Sequence, residues 1–156
     1  RQWSRGLGDV YKRQAYKGIF LGSILATKMS KEMNMPVCFN RKEVKDHGEG
    51  GSLIGAKPKG KVLVVDDVIS SGLAIRESLD FLKPFDIELV GALVTLDRQE
   101  IGQNSDLSAS AELQKDGLNV FSVISLDDLL DANELIDSSS IETIRDYRNT
   151  YQGKNV

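Results

Sequence analysis

Val62, Leu63, Val64 and Val65 run without interruption into two adjacent carboxylates, Asp66 and Asp67. Small residues follow, Ser70, Ser71 and Gly72, and then apolar side chains at helical spacing, Ile75, Leu79 and Leu82. Few folds accommodate that order. A short apolar run bounded by turn residues reads as a strand buried on both faces, as in a parallel α/β sheet. The helical period after it reads as a helix packed back on that sheet. The pattern predicts a central strand over 61–65, a turn at its carboxyl end and a helix over 71–83. In open α/β sheets ligands bind at that end of the strands.

Residues 66–74 also carry a definite chemistry. Backbone N–H groups at a helix N-terminus make an anion site, reinforced by the helix dipole, and a phosphate fits there. Asp66 and Asp67 cannot sit against that phosphate without repulsion. They sit beside it, accepting hydrogen bonds from neutral hydroxyls or holding a cation. A phosphate next to vicinal hydroxyls describes a ribose 5-phosphate. A plainer reading, a βα turn with Ser71 as the helix N-cap, accounts for the serines. It does not account for two carboxylates closing an apolar strand.

This stretch resembles the phosphoribosyl-pyrophosphate (PRPP) motif of type I phosphoribosyltransferases. In that family the acidic pair binds the ribose hydroxyls and the loop wraps the 5-phosphate. The resemblance implies PRPP contacts from Asp66, Asp67, Val68, Ile69, Ser70, Ser71, Gly72, Leu73 and Ala74. The chain departs from the motif at Leu73, where a threonine commonly offers a hydroxyl to the phosphate. The backbone N–H groups survive that change and one side-chain hydrogen bond does not, so reduced PRPP affinity is expected.

The 156 residues suffice for one domain with its own core, and 40% hydrophobic with 28% charged residues is ordinary for a soluble globular chain. The net charge of −3 gives no electrostatic case for nucleic acid. No apolar run approaches membrane-span length, and no secretory signal is visible, so a cytoplasmic location is expected. Cys38 is the only cysteine, which excludes an internal disulfide framework and a cysteine metal cluster. Its apolar surroundings suggest a buried structural thiol.

Residues 1–14 lack a period and hold four basic residues, Arg1, Arg5, Lys12 and Arg13, with the only tryptophan, Trp3. They resemble a non-native tail and stand apart from a domain over 15–156. The remaining chain reads as a helix over 15–33 with Ile19, Phe20, Ile24 and Leu25 apolar. A strand over 36–40 follows, then a polar stretch over 41–51, the strand and helix already described, and a strand over 88–96. A helix over 107–114, a strand over 120–124 and helices over 126–130 and 141–147 complete the chain, with Ser138, Ser139 and Ser140 as a linker or cap. Strands alternate with helices, so a parallel sheet with helices on both faces is expected.

Residues 41–51 contain seven ionisable side chains and three glycines. Such a run cannot bury itself, and the bland reading is a solvated loop. The order of residues supports more. Lys45 and His47 can face one anion, with glycines behind them as hinges. A cationic loop closing over a pyrophosphate would exclude water and stabilise a leaving group. His47 is the only histidine, so no histidine-rich metal site exists.

Arg41, Lys42, Glu43, Lys45, Asp46, His47, Gly48, Glu49, Gly50 and Gly51 closely match the catalytic loop of orotate phosphoribosyltransferases. By that resemblance Lys45, His47, Arg41 and Lys42 contact pyrophosphate, and Asp46 takes part in the chemistry. Tyr16, Lys17 and Gly18 resemble the turn whose lysine approaches the pyrophosphate. Arg98, following the strand over 88–95, resembles the family's ligand for the orotate ring, and Ser70 is placed at orotate as well. A guanidinium suits a planar anionic base with carbonyl acceptors. The alternative for Arg98 is a surface salt bridge with Asp97 or Glu100, worth little. The resemblance covers residues 15–151, with four motifs in order.

The resemblance implies a type I phosphoribosyltransferase fold whose N-terminal portion is missing, and transfer of ribose 5-phosphate from PRPP to orotate. It also implies Mg²⁺ held through pyrophosphate and ribose oxygens with no dedicated protein metal site. A homodimer is implied too, in which the loop over 41–51 reaches the neighbouring subunit. Two alternatives stay open: a phosphoribosyltransferase for another base, and a non-catalytic PRPP-sensing regulator. The end at Val156, soon after the last helix, favours a stand-alone enzyme over a decarboxylase fusion.

Overall fold

The computed structural model describes residues 17–40 and 53–155. The chain divides into two compact units, residues 1–56 and 57–156. Among the described residues no helix is long and apolar enough to cross a membrane.

In the first unit, helix α1 spans Lys17–Met29, and strands β1 (Cys38–Asn40) and β2 (Leu53–Gly55) pair antiparallel. The four apolar side chains singled out on α1 differ in burial. Ile19 and Leu25 are half-buried, whereas Phe20 is 71% and Ile24 59% exposed. Gly18, Ile19, Leu21, Gly22, Leu25, Ala26 and Met29 are half-buried and recur every three or four residues, as one broad helix face does, whereas Phe20 and Ile24 are exposed. Strand β2 is too short to leave a period in the sequence and was not expected. Cys38 is half-buried rather than buried, and that burial raises its thiol pKa, away from nucleophilic use.

The second unit is built on three parallel strands, β3 (Gly60–Ile69), β4 (Ile87–Asp97) and β5 (Val120–Ser125), in the order β3-β4-β5. Helix α2 (Leu73–Leu82) joins the first two strands, and α3 (Ala109–Lys115) the next two. This is the expected alternating α/β pattern, with three corrections. Strand β4, not the one carrying the acidic pair, lies between the other two of this sheet. Strand β3 also continues through Asp66, Asp67, Val68 and Ile69, because Asp66 pairs with Val94, Val68 with Leu96 and Ile69 with Asp97. Its apolar residues 62–65 are half-buried rather than buried on both faces. The fully covered positions are Ile69 at the end of β3, 2% exposed, and Ala92 and Val94 on β4, 0% and 1% exposed.

Ile69, Ile75, Ala92, Val94, Ala109, Leu113 and Leu118 form the core cluster, and Val64, Leu79 and Val120 pack against it. Helix α4 (Leu126–Asp131) starts in a capping box, in which Ser125 and Asp128 exchange bonds. A short 3₁₀ turn, Asn133–Leu135, precedes helix α5 (Ser138–Tyr151). The three serines are not a linker but the first turn of α5, and Asp137 is its cap, accepting from the Ser140 N–H at 3.0 Å. The hydroxyls of Ser139 and Ser140, with that N–H, hold the Asp137 carboxyl far below the usual carboxylate range.

Candidate active site

The carboxyl end of β3 delivers Asp66 and Asp67 and then turns through Ser70, Ser71 and Gly72 into α2. The Asp67 N–H donates to Asp66 Oδ1 at 2.9 Å, and the Thr95 hydroxyl on β4 donates to the Asp67 carbonyl. The acidic pair is thus held within the strand ladder, at its end. Ser71 does not cap the helix. Gly72 does, in the left-handed region at φ 78°, with no side-chain cap hydrogen bond. The first helical bond runs from the Arg76 N–H to the Gly72 carbonyl at 3.1 Å. The N–H groups of Leu73, Ala74 and Ile75 therefore have no helix carbonyl to bond, which is the arrangement an anion completes.

Gly72 is required twice over. Its positive φ penalises an L side chain, and a Cβ there would lie 3.3 Å from Ala109 Cβ and 3.6 Å from Leu113 Cδ1. The turn thus rests directly on α3. Among the PRPP-motif residues, Ile69 belongs to the core, 2% exposed, so only its backbone faces the turn. Leu73 opens α2 with its side chain 52% exposed.

Arg98 follows β4, next to this turn. Its N–H donates to the Ile69 carbonyl at 3.0 Å, so the two strand ends are stitched together. Gln99 has a φ of 52°, the one positive value among described non-glycine residues. That conformation costs roughly 1–2 kcal/mol. Three contacts offset it. The Gln99 N–H donates to Asp97 Oδ1 at 2.8 Å, its Nε2 donates to Asp127 Oδ2 at 3.0 Å, and its Oε1 accepts from the Asp127 N–H at 3.0 Å. The kinked turn projects Arg98 beside Glu100. Arg98 Nε lies 2.8 Å from Glu100 Oε1, and Arg98 Nη2 donates to the Tyr147 hydroxyl, which in turn donates to Glu100. The ion pair weighed from the sequence therefore exists, with Glu100; Asp97 is committed to Gln99.

A third feature braces the site. Glu112 on α3 is 4% exposed and takes hydrogen bonds from the N–H groups of Gln103 (3.2 Å) and Asn104 (3.0 Å) and from the Ser105 hydroxyl (2.8 Å). Arg76 Nη2 on α2 pairs with it at 2.5 Å. Burial alone would raise its pKa, but these hydrogen bonds outweigh that and hold the carboxyl down to about 2. Gly102 makes room for it, since a Cβ there would come within 2.6 Å of the carboxylate. Glu112 thereby joins α3, the first turn of α2 and the loop beyond Arg98.

The structure brings together Asp66, Asp67, Val68, Ile69, Ser70, Ser71, Gly72, Leu73, Ala74 and Arg98, all in the second unit. Lys17 opens α1 in the first unit. Tyr16, Arg41, Lys42, Lys45, Asp46 and His47 lie outside the described residues. Gln99, Glu112 and Tyr147 were not found from the sequence. Each works through a partner distant in the chain, and nothing in local spacing marks it.

The phosphoribosyl transferase domain family matches residues 17–123. An orotate phosphoribosyltransferase of Proteus mirabilis (strain HI4320) is 46% identical over 149 residues, covering 92% of this chain and 69% of that protein. One from Photorhabdus laumondii is 48% identical over 125 residues, covering 78% of this chain and 58% of that protein. Among solved structures, the orotate phosphoribosyltransferase of Francisella tularensis superposes with a TM-score of 0.68 at 31% identity, over 89% of this chain and 68% of that one.

Proposed function

The chain belongs to the phosphoribosyl transferase family, on its orotate phosphoribosyltransferase branch, and from that membership we propose that it transfers ribose 5-phosphate from PRPP to N1 of orotate. Pyrophosphate leaves and orotidine 5′-monophosphate forms, a step of pyrimidine nucleotide synthesis. One observation carries this reading. An acidic pair, a helix N-terminus without a side-chain cap bond and an arginine meet at adjacent strand ends, joined by the Arg98 N–H to Ile69 carbonyl bond.

Such a transfer passes through an oxocarbenium-like centre at C1, so positioning and charge placement are the protein's tasks. The turn over 70–74 anchors the 5-phosphate on its N–H groups. Asp66 and Asp67 orient the ribose hydroxyls, and their charge favours positive charge developing on the ring. Arg98 and Ser70 hold orotate. Lys17, Arg41, Lys42, Lys45 and His47 take up the growing charge on pyrophosphate, with Tyr16 beside them and Asp46 in the chemistry. No covalent nucleophile is needed.

Among the described residues no group of three or more His, Cys, Asp or Glu side chains gathers that could hold a metal ion. Mg²⁺ would be held mainly through pyrophosphate and ribose oxygens, in keeping with its use of few protein ligands. When bound, Mg²⁺ offsets charge on the pyrophosphate. We place the enzyme in the cytoplasm as a homodimer in which residues 41–51 serve the neighbouring subunit's site.

A panel of bases incubated with Mg²⁺ and PRPP tests the assignment. Orotate consumption with stoichiometric pyrophosphate release is the expected result. Preferential use of adenine, hypoxanthine or uracil would move the chain to another branch, and PRPP binding without turnover of any base would make it a sensor.

A further inference from the structure

The contacts of Arg98 specify how it meets a ligand. A guanidinium carries five N–H donors in a planar fork. One edge presents Nε–H with one hydrogen of Nη2, and the other presents one hydrogen from each Nη. Here Nε is paired with Glu100 at 2.8 Å and Nη2 with the Tyr147 hydroxyl, so the first edge is occupied from within the protein. The Arg98 Cζ lies 4.8 Å from the centre of the Tyr147 ring, which holds the fork's plane as well as its edge. Tyr147 is itself packed on Tyr151, with ring centres 4.8 Å apart. The neighbouring Arg148 pairs with Asp127 at 2.6 Å, and Asp127 clamps the kinked residue Gln99. One stretch of α5 therefore fixes both the backbone turn and the side chain at the end of β4.

We propose that Tyr147 is a positioning residue for base recognition: it commits one edge of Arg98 to Glu100 and itself, leaving the double-Nη edge for the carbonyl and carboxylate oxygens of the planar anionic base. This rests on the reading of Arg98 as the orotate ligand. Without the phenolic oxygen, Nη2 is released and the guanidinium can turn so that both Nε and Nη2 reach the Glu100 carboxylate. That bidentate pairing is the commoner geometry, and it misaligns the ligand edge.

Tyr147→Phe removes one oxygen and keeps the ring under the guanidinium, so the fold is retained. Steady-state kinetics on the whole chain should show orotate KM raised about tenfold, the size of one charge-assisted hydrogen bond. PRPP KM should be unchanged, and kcat should stay within about twofold of the parent. An orotate KM equal to that of the parent chain overturns the assignment. A parallel rise in both KM values also overturns it, since it would mark general loosening. A parent chain that turns over PRPP without saturating in orotate removes the reading of Arg98, and the role of Tyr147 falls with it. That outcome is separable from a failure of Tyr147 alone, in which orotate saturates both chains equally.

Discussion

Leu73 stands at the first position of α2, half-exposed, where the N–H groups of the turn converge. Nothing about its packing requires leucine, so Leu73→Thr can add a hydroxyl to the proposed phosphate site without disturbing the core. PRPP affinity should rise about three- to tenfold, the range of one net hydrogen bond, in a calorimetric titration. Glu112 makes the opposite kind of contribution, through its ionised form. Its pKa falls from 4.5 to about 2 on folding. A carboxyl depressed in the folded state stabilises the fold above its unfolded pKa and loses that contribution as pH falls through the window between the two values. Melting temperature should therefore decline between about pH 4.5 and 2, and Glu112→Gln should be destabilised at neutral pH with a flatter acid limb. Identical pH profiles for parent and variant would remove Glu112 from that role.

At the scale of elements, α2 depends on a glycine rather than a serine to begin. Gly72→Ala must place a Cβ at φ 78° and within 3.3 Å of Ala109. Urea denaturation should report a loss of about 1–2 kcal/mol, with weaker PRPP binding as the turn shifts. Much of this region was legible in advance. The apolar run, the acidic pair and the small turn identified the strand end, and the spacing of Ile75, Leu79 and Leu82 identified the helix. The extent of β3 was not legible. Two aspartates read as the end of a strand, yet the parallel ladder to β4 carries them, and that pairing is set by a partner more than 25 residues away. Helix starts moved for a related reason. Asp137 rather than the serines caps α5, and the competition between adjacent cap-forming residues is decided by backbone geometry that spacing does not reveal.

Across the whole molecule, contacts that shape the turn carrying Arg98 come from the far end of the chain. Tyr147 lies 49 residues from Arg98, so no local pattern announces the pair. The tail beyond α5 adds backbone bonds to the same region. The Gly153 N–H donates to the Gln99 carbonyl at 2.9 Å, the Ser108 N–H to the Lys154 carbonyl at 2.7 Å, and the Lys154 N–H to the Asp106 carbonyl at 2.8 Å. Removing residues 152–156 should cost about 2–4 kcal/mol in urea denaturation, three backbone bonds at their usual net value, and should raise orotate KM more than PRPP KM. The acidic pair and the turn without a side-chain cap bond remain the features on which the functional reading stands. Calorimetric titration of Mg²⁺-PRPP into the folded chain, beside an Asp66→Asn/Asp67→Asn variant, addresses them directly. One PRPP per chain with affinity reduced at least about tenfold in the variant is the expected result, since charged hydrogen bonds to the ribose hydroxyls are lost. A folded parent chain that does not bind, or a variant that binds as tightly, would contradict it.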